Sequence, residues 1–423
     1  MKILVIGNGG REHAICSSFK KSLRVTKIYC ADGNAGIAKI AECIDIKPDE
    51  INKLADFAEN NSIDLTFVGG ETSLALGVVD EFESRNLKII GASREAARLE
   101  SSKSFAKDFM ARNGIPTAVY KTAYSTFEAI EILEAGEFGG QNSPVVVKAD
   151  GLAAGKGVVV ALNRAEAVVA VNELEKLVGK NAVEKIVLEE CLFGKEVSLL
   201  MFADGENFKL MPPTRDHKRI FENDQGANTG GMGTITDAGL LSGEQTAQII
   251  EKIIKPTLKG CQNEGYPFRG ILFLGLMMTK NGAQVLEYNV RFGDPETQSI
   301  LIRLETDFVE ICQAVNSKTL NELEIKWKKG NSACIIMAAE NYPNQPRTGD
   351  LISGLDKVVE GENMLVFHAG TRKNNDGEIM TFGGRILGVT AAADSLETAL
   401  INAYESVGKI SFDGMQYRRD IGK

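Results

Sequence analysis

The chain has 423 residues, 43% of them apolar and 25% charged, with a formal net charge of -9 at pH 7. At roughly 100–200 residues per domain this length fits two to four domains, and the composition is that of an ordinary globular protein. The acidic balance and the lack of a Lys/Arg-rich block argue against a nucleic-acid partner, and no apolar run approaches membrane-spanning length.

The opening "MKILVIGNGG" enters a strand and a glycine turn directly, which is not the pattern of a signal peptide. "KILVIG", "VTKIYCA", "DLTFVGG" and "LKIIGA" are short apolar strands separated by stretches of helical spacing such as "REHAICSSF". Such alternation predicts a parallel sheet with right-handed crossovers over the first hundred or so residues. In "GNGGREHA", Gly7 and Gly9 fit the start of a dinucleotide fingerprint, but Glu12 stands where its third glycine belongs. Asp32 follows the next strand, about where a ribose-binding acid would sit. A glycine turn at a helix N-terminus still offers N–H groups to a phosphate. A phosphate loop and a plain strand–helix turn both remain open.

"SSKSFAKDFMARNGIP" predicts a helix capped by Ser101 or Ser102, with Phe105, Phe109 and Met110 on one face, ended by Gly114 and Pro116. It reads as the entry to a second domain. "SPVVVKADGLAAGKGVVVAL" is two apolar strands joined by a Gly/Ala loop. This is not a P-loop: Gly151 and Gly155 enclose three residues instead of four, and Gly157 follows Lys156 where Ser or Thr is needed. Lys148, at the end of the first strand, is either a phosphate ligand or an edge lysine with a packed stem. "KIVLEECLFGKEVSLLMFAD" reads as another strand pair, with Glu189, Glu190 and Glu196 around its connector. The connector backbone could meet an adenine edge and a carboxylate the ribose hydroxyls; solvated acids are the plain alternative. "TRDHKR" surrounds Asp216 with cationic groups, and "GANTGGMG" follows with Asn228 and Thr229. An anion site competes there with a solvated basic loop.

"GILFLGLMMTKNGAQVLEYNVRF" predicts a β-hairpin turning at "KNGA". Alternation puts Leu286, Tyr288, Val290 and Phe292 on a core face and Glu287, Asn289 and Arg291 on the other. Glu287 and Asn289 are hard oxygen donors of the kind Mg²⁺ takes in small number, completing its shell with phosphates and water. A structural salt bridge is the alternative. "CIIMAAENYP", "LVFHAGTR" and "GGRILGVTAA" predict a strand-rich module from about residue 326 onward. Seven scattered cysteines without a C-x-x-C pair read as free thiols of a reducing cytosol.

Read together, these segments resemble the phosphoribosylamine–glycine ligases (glycinamide ribonucleotide synthetases) of the ATP-grasp superfamily. The resemblance rests on "GNGGREHA", "SKSFAKDFMARNGIPTA", "KADGLAAGKGVVV", "RDHKR", "NTGGMG", "EYNVRFGDPETQ", "IMAAENYP", "FHAGT" and "GGRILGVTA", in the family's order along the whole chain. "RFGDPETQ" and "NTGGMG" are close to diagnostic; the Gly/Ala loop is shared more widely. The chain departs from the family with "TITD" after "NTGGMG" in place of an Ala-Tyr-Ser-Pro run. Ala227 stands where a Pro is usual, and "VGGETSL" replaces Gly-Pro-Glu.

The resemblance implies an α/β protein with an ATP-grasp fold: a Rossmann-like phosphoribosylamine-binding domain over residues 1–100, an ATP-grasp domain over 101–325 with a mobile lid at about 120–190, and a C-terminal strand-rich domain over 326–423. It implies ATP-dependent ligation of glycine to 5-phosphoribosylamine through glycyl phosphate, in purine biosynthesis, with Mg²⁺ or Mn²⁺ held by Glu287 and Asn289. "ILFLGLMM" carries no further metal carboxylate, so the site would lean more on Asn289. Lys103, Lys148, Gly151, Gly155, Lys156 and Gly157 would meet the ATP phosphates, and Glu189, Leu192 and Glu196 the adenosine. Gly9, Gly10, Arg11 and Glu12 would hold phosphoribosylamine, helped by Asn228, Thr229 and Gly230. Asp216, Lys218, Arg219 and Arg291 would line the reaction centre. A cytoplasmic enzyme is expected, with a monomer as the working assumption and no nucleic-acid or membrane partner. Another ATP-grasp ligase, such as a biotin-dependent carboxylase subunit, would share the ATP residues but not "RDHKR" or "RFGDPETQ". A nucleotide-binding regulator and an NAD oxidoreductase are the readings from other classes.

Overall fold

The computed structural model describes residues 1–152, 157–179 and 184–423. The four N-terminal strands expected from the sequence, Lys2–Gly7, Lys27–Asp32, Leu65–Val68 and Ile89–Ile90, form one parallel sheet. A fifth strand, Glu42–Ile44, joins its edge beside Lys27–Asp32. It is only three residues long and largely exposed, so it carries no apolar run to announce it. Lys2–Gly7 lies at the centre, with Ile3, Leu4, Val5 and Ile6 fully buried. Ile3 and Val5 pack with Ala14, Ile15 and Phe19 of the Gly10–Lys20 helix; Leu4 and Ile6 pack on the opposite face with Leu54, Ala58 and Phe82. Burial on both faces is what turns a parallel strand into a continuous apolar run.

Ser102 is the cap of the next helix, Lys103–Arg112, accepting from Phe105 N. Beyond it, strands Tyr120–Ala123, Ile186–Glu190, Val145–Ala149 and Val158–Ala161 form an antiparallel sheet in that spatial order. Helices Thr126–Glu134 and Arg164–Val178 cover it, and Ala129, Leu133, Val145, Val147, Ala167 and Leu174 give it a core of its own. The expected pairing of Ile186–Glu190 with Lys195–Asp204 does not occur. Residues 191–194 instead carry the chain from this small sheet to a larger one, where Lys195–Asp204 pairs along its whole length with Arg269–Thr279.

The larger sheet continues through Thr214–Asp216, Gly233–Thr236, Asn331–Ala338 and Arg385–Ala393 to Met364–His368. Its other edge is the predicted hairpin, Arg269–Thr279 with Gly282–Asn289, turning at Lys280 and Asn281. Here the simple alternation fails at one residue. Gly275 faces Glu287 and Leu276 faces Val285, so Leu286 is an extra residue in a β-bulge. Val285 takes the inward place beside Tyr288 and Val290, and Leu286 is turned out of the core. All seven cysteines are free. Among the described residues no helix is long and apolar enough to cross a membrane.

Candidate active site

The N-terminal turn is built around Glu12. Gly9 is the helix N-cap, and its N–H donates to Glu12 Oε2 over 2.7 Å; Arg11 Nε lies 2.7 Å from Glu12 Oε1. A Cβ on Gly7 would stand 2.6 Å from Glu12 Cγ, and one on Gly69 would overlap Glu12 Oε1. The carboxylate thus fills the space the glycines leave, facing inward. Arg11 also donates to the Phe292 carbonyl over 3.0 Å, which ties the turn to the end of the "EYNVRF" strand. "GDPETQ" closes over the turn as well: a Cβ on Gly10 would come 2.7 Å from Gln298 Nε2, and one on Gly9 would come 3.3 Å from Asp294 Oδ2.

Arg291 is joined to this junction. It donates to the Phe292 carbonyl over 3.1 Å and pairs with Glu100 at 2.7 Å and Glu71 at 3.2 Å. Burial works against its charge, but Glu100 and Glu71 more than compensate and its pKa is raised.

Three lysines gather where the Lys103–Arg112 helix meets the small sheet. Lys148 donates to Leu286 O over 3.1 Å and lies 2.7 Å from Glu189 Oε1. The other Glu189 oxygen is 2.9 Å from Lys107. The Glu189 side chain, expected near adenosine, is thus turned toward two ammonium groups. Lys103 opens its helix, its pKa pulled down by burial while Glu287 pulls the other way. Asp150 fixes that helix start, accepting from Ser104 N over 2.6 Å and from Ser102 Oγ. Gly151 and Gly157 flank the Gly/Ala loop, and Leu192 is half-buried in the 191–194 connector. Gly155 and Lys156 lie outside the described residues.

Asp216 and Lys218 border a small pocket lined also by Glu196, Gly275 and Leu286. Lys218 Nζ is 3.2 Å from Glu196 Oε2. Burial opposes its charge, yet Glu196, Glu287 and Asp216 raise its pKa and keep it an ammonium. Asp216 is pushed upward by burial and then by Glu296, against the pull of Lys218. Arg219 sits on the Arg219–Phe221 and Gln225–Asn228 hairpin and donates to Gly226 O over 2.6 Å, opposite Asn228. Thr229 donates from both N and Oγ1 to Lys218 O at 2.8 Å, and Gly230 N donates to Tyr342 Oη over 3.0 Å. A larger cavity, about 330 Å³, lies between the Lys21–Arg24 loop and Leu304–Phe308, and none of these groups line it.

Glu287 and Asn289 occupy neighbouring positions on one strand face, opposite Gly275 and Phe273. Burial opposes the charge of Glu287, but Lys218, Lys148, Lys103 and Arg291 hold its pKa down. It is therefore an ionised oxygen donor inside a cationic ring. Among the described residues no cluster of three or more His, Cys, Asp or Glu could hold a metal. One carboxylate and one amide fit a divalent ion that phosphates complete, and would not make a self-sufficient cage.

Sequence reading passed over Lys107, Asp294, Glu296, Gln298 and Arg385. Arg385, more than ninety residues after "GDP", donates to Asp294 O over 2.6 Å and reaches Gly230 O and the Asp294 carboxylate. "GGRILG" and "GDPETQ" were visible as motifs, but their meeting is a fact of folding.

A small antiparallel sheet set against a large one, with a buried lysine of the first reaching the large sheet's edge strand that bears Glu287 and Asn289, is the arrangement of an ATP-grasp protein. The family models for the N, ATP-grasp (A) and C domains of phosphoribosylglycinamide synthetase match residues 1–100, 101–297 and 332–423. The phosphoribosylamine–glycine ligase of Caldanaerobacter subterraneus subsp. tengcongensis is 46% identical, over 100% of this chain and 99% of its own. That of Vibrio parahaemolyticus is also 46% identical, over 100% and 98%. The crystal structure of the Thermotoga maritima phosphoribosylamine–glycine ligase superposes with a TM-score of 0.85 at 32% identity, with both chains fully covered. A Hydrogenobacter thermophilus biotin carboxylase domain shares the fold at 18% identity, with a TM-score of 0.75 over 98% of this chain and 91% of its own. The chain belongs to the phosphoribosylglycinamide synthetase family.

Proposed function

We propose that this chain ligates glycine to 5-phosphoribosylamine at the expense of ATP, yielding glycinamide ribonucleotide, ADP and phosphate in purine biosynthesis. The observation that carries the reading is the junction itself. The helix turn of Gly9–Arg11 abuts "GDPETQ", and the same segment continues from the strand of Glu287 and Asn289. A phosphosugar on the turn and a nucleotide on the lysines would thus meet over one strand end.

In this reading a glycine carboxylate oxygen attacks the γ-phosphorus and ADP leaves. The amine of phosphoribosylamine then attacks the carbonyl carbon of glycyl phosphate, expels phosphate and gives up a proton. A carboxylate is a poor electrophile and the phosphoryl group supplies the leaving group, so positioning and charge stabilisation carry most of the catalysis. Glu287 and Asn289 would hold Mg²⁺ or Mn²⁺, which would neutralise phosphate charge. Lys103, Lys148 and the Gly151–Gly157 segment would take the phosphates; the connector at Leu192, with Glu189 and Glu196, would flank the nucleoside. Gly9, Gly10, Arg11 and Glu12 would form the phosphoribosylamine turn, with Asn228, Thr229 and Gly230 beside it. Asp216, Lys218, Arg219 and Arg291 would line the reaction centre and set its charge.

We further take residues 1–100, 101–325 and 326–423 as the functional domains, 120–190 as the moving lid, the cytoplasm as the compartment and a monomer as the state. The test is phosphate release by the purified chain with ATP and Mg²⁺, phosphoribosylamine being generated in place. Turnover that requires both glycine and phosphoribosylamine is expected. Turnover without glycine, or bicarbonate-dependent turnover, would replace this reading with that of a carboxylase.

A further inference from the structure

Lys107 lies one turn beyond Lys103 on the Lys103–Arg112 helix, and its side chain is 3% exposed. Its ammonium stands 2.9 Å from Glu189 Oε2 and donates to Thr117 Oγ1 over 2.8 Å. The second oxygen of the same carboxylate, Oε1, is 2.7 Å from Lys148 Nζ. Glu189 and Lys148 belong to adjacent strands of the small sheet, where Val146 faces Glu189 and Val147 faces Leu188. They are diagonal neighbours on one face. Lys107 comes from the helix outside that sheet.

The charge count matters here. Lys148 and Glu189 alone would be a neutral pair, and a buried pair of this kind holds its members tightly. With Lys107 the same carboxylate is divided between two ammonium groups, and the cluster carries one net positive charge. Burial draws the pKa of Lys107 down to about 8, while Glu189 draws it up, so its charge depends on this carboxylate.

We propose that Lys107 is a positioning residue for the nucleotide: by engaging Glu189 it leaves the charge of Lys148 available to an anionic nucleotide, and it fixes the small sheet to the helix that bears Lys103. This rests on the reading that Lys148 meets the nucleotide.

The experiment measures ADP–Mg²⁺ affinity of the whole chain by calorimetry, alongside KM values for glycine and phosphoribosylamine. Lys107→Met is expected to weaken ADP about tenfold or more, the scale of one charge-assisted contact, with the two other KM values within about twofold. In Lys107→Met/Glu189→Gln no unshared carboxylate captures Lys148, and the double variant is expected to bind ADP at least about threefold more tightly than Lys107→Met. A simple brace would not be repaired by a second loss, so a double variant as weak as the single one overturns the proposal. So does Lys107→Met with unchanged ADP affinity. Should Lys107→Met fail to fold, Lys107→Gln, which can still bond Thr117, takes its place. Lys148→Met separates the two levels: unchanged ADP affinity there overturns the reading of Lys148 itself, whereas weakened ADP with silent Lys107 variants overturns only the role of Lys107.

Discussion

The Arg291 guanidinium donates to the Glu100 carboxylate over 2.7 Å, and Glu100 in turn accepts from Val290 N over 2.8 Å. Glu100 belongs to the short Arg98–Ser101 helix and Arg291 to the end of the metal-candidate strand, so the pair locks the strand end to the helix before Lys103. Glu100 is 8% exposed, and burial raises its pKa against the pull of Arg291. Arg291→Met would strand that carboxylate in the interior. Loss of one partner of a buried pair costs roughly 3–5 kcal/mol. Urea unfolding is expected to show a loss of this order, with kcat reduced; an unchanged midpoint would show that the pair carries no stability.

Glu71 supplies a pH signature. Burial disfavours its charge, but Arg291 and Arg11 outweigh burial and hold the pKa at about 2, below its ordinary 4.5. A folded-state pKa below the unfolded one gives stability that is full above about pH 4.5 and is lost as pH falls through 2. The increment is about 3 kcal/mol at most, reduced by whatever water screens the pair. Glu71→Gln is expected to flatten the stability–pH curve between about pH 5 and 2 relative to the parent. Parallel curves for the two proteins would assign the acid lability to other carboxylates.

Much of this layout was legible in the sequence because it is local. The apolar runs around Ile3–Ile6 and the hairpin turn at Lys280–Asn281 are set by periodicity and turn chemistry. The exceptions are equally physical. A bulge at Leu286 shifts one residue between faces and leaves no mark on an alternating pattern. Ile186–Glu190 and Lys195–Asp204 look like a hairpin, yet belong to different sheets, because a four-residue connector can cross between sheets as readily as it can turn. Arg291 and Glu189 carry the charges expected of ligands, but their partners Glu71, Glu100 and Lys107 lie far away in sequence. No spacing rule reaches them. Arg385 shows the same limit: nothing local marks it, yet it arrives at the junction and donates to Asp294 O.

The segment Arg418–Gly422 grips the strand of Asp216 from outside. Arg418, 2% exposed, donates to Arg219 O over 3.1 Å and to Asp224 over 2.8 Å, and pairs with Asp420 at 2.7 Å. Gly422 N donates to His217 Nε2 over 3.1 Å, next to Asp216. Arg418→Met removes the fork and leaves Asp224, Asp420 and the Arg219 carbonyl without it. Charge-assisted hydrogen bonds contribute about 1.5–3 kcal/mol each. A loss of at least that size in thermal or urea unfolding is expected, together with a lower kcat, since Lys218 hangs from the same hairpin through Thr229. Full kcat in a destabilised variant would show that the grip serves the fold alone.

Glu287 provides the sharpest separation of chemistry from folding. Its carboxylate is held ionised by Lys218, Lys148, Lys103 and Arg291, so it is the anionic member of a cationic ring. Glu287→Gln keeps shape and volume and removes the charge. Were the glutamate there to balance the lysines, its loss would destabilise the protein and leave residual turnover with normal metal dependence. Were it the metal donor, the fold would persist while the reaction fails, because one well-placed charge contact at a transferring phosphoryl group is worth on the order of 10²–10³ in rate and a metal ligand at least as much. The second outcome is expected: a kcat reduction of about 10² or more, an unfolding midpoint close to the parent's, and weaker Mn²⁺ binding in the presence of ADP by electron paramagnetic resonance. The Mn²⁺ signal is the deciding measurement, since it needs no turnover. Unaltered Mn²⁺ affinity in Glu287→Gln would move the metal away from this strand, whatever happened to the rate.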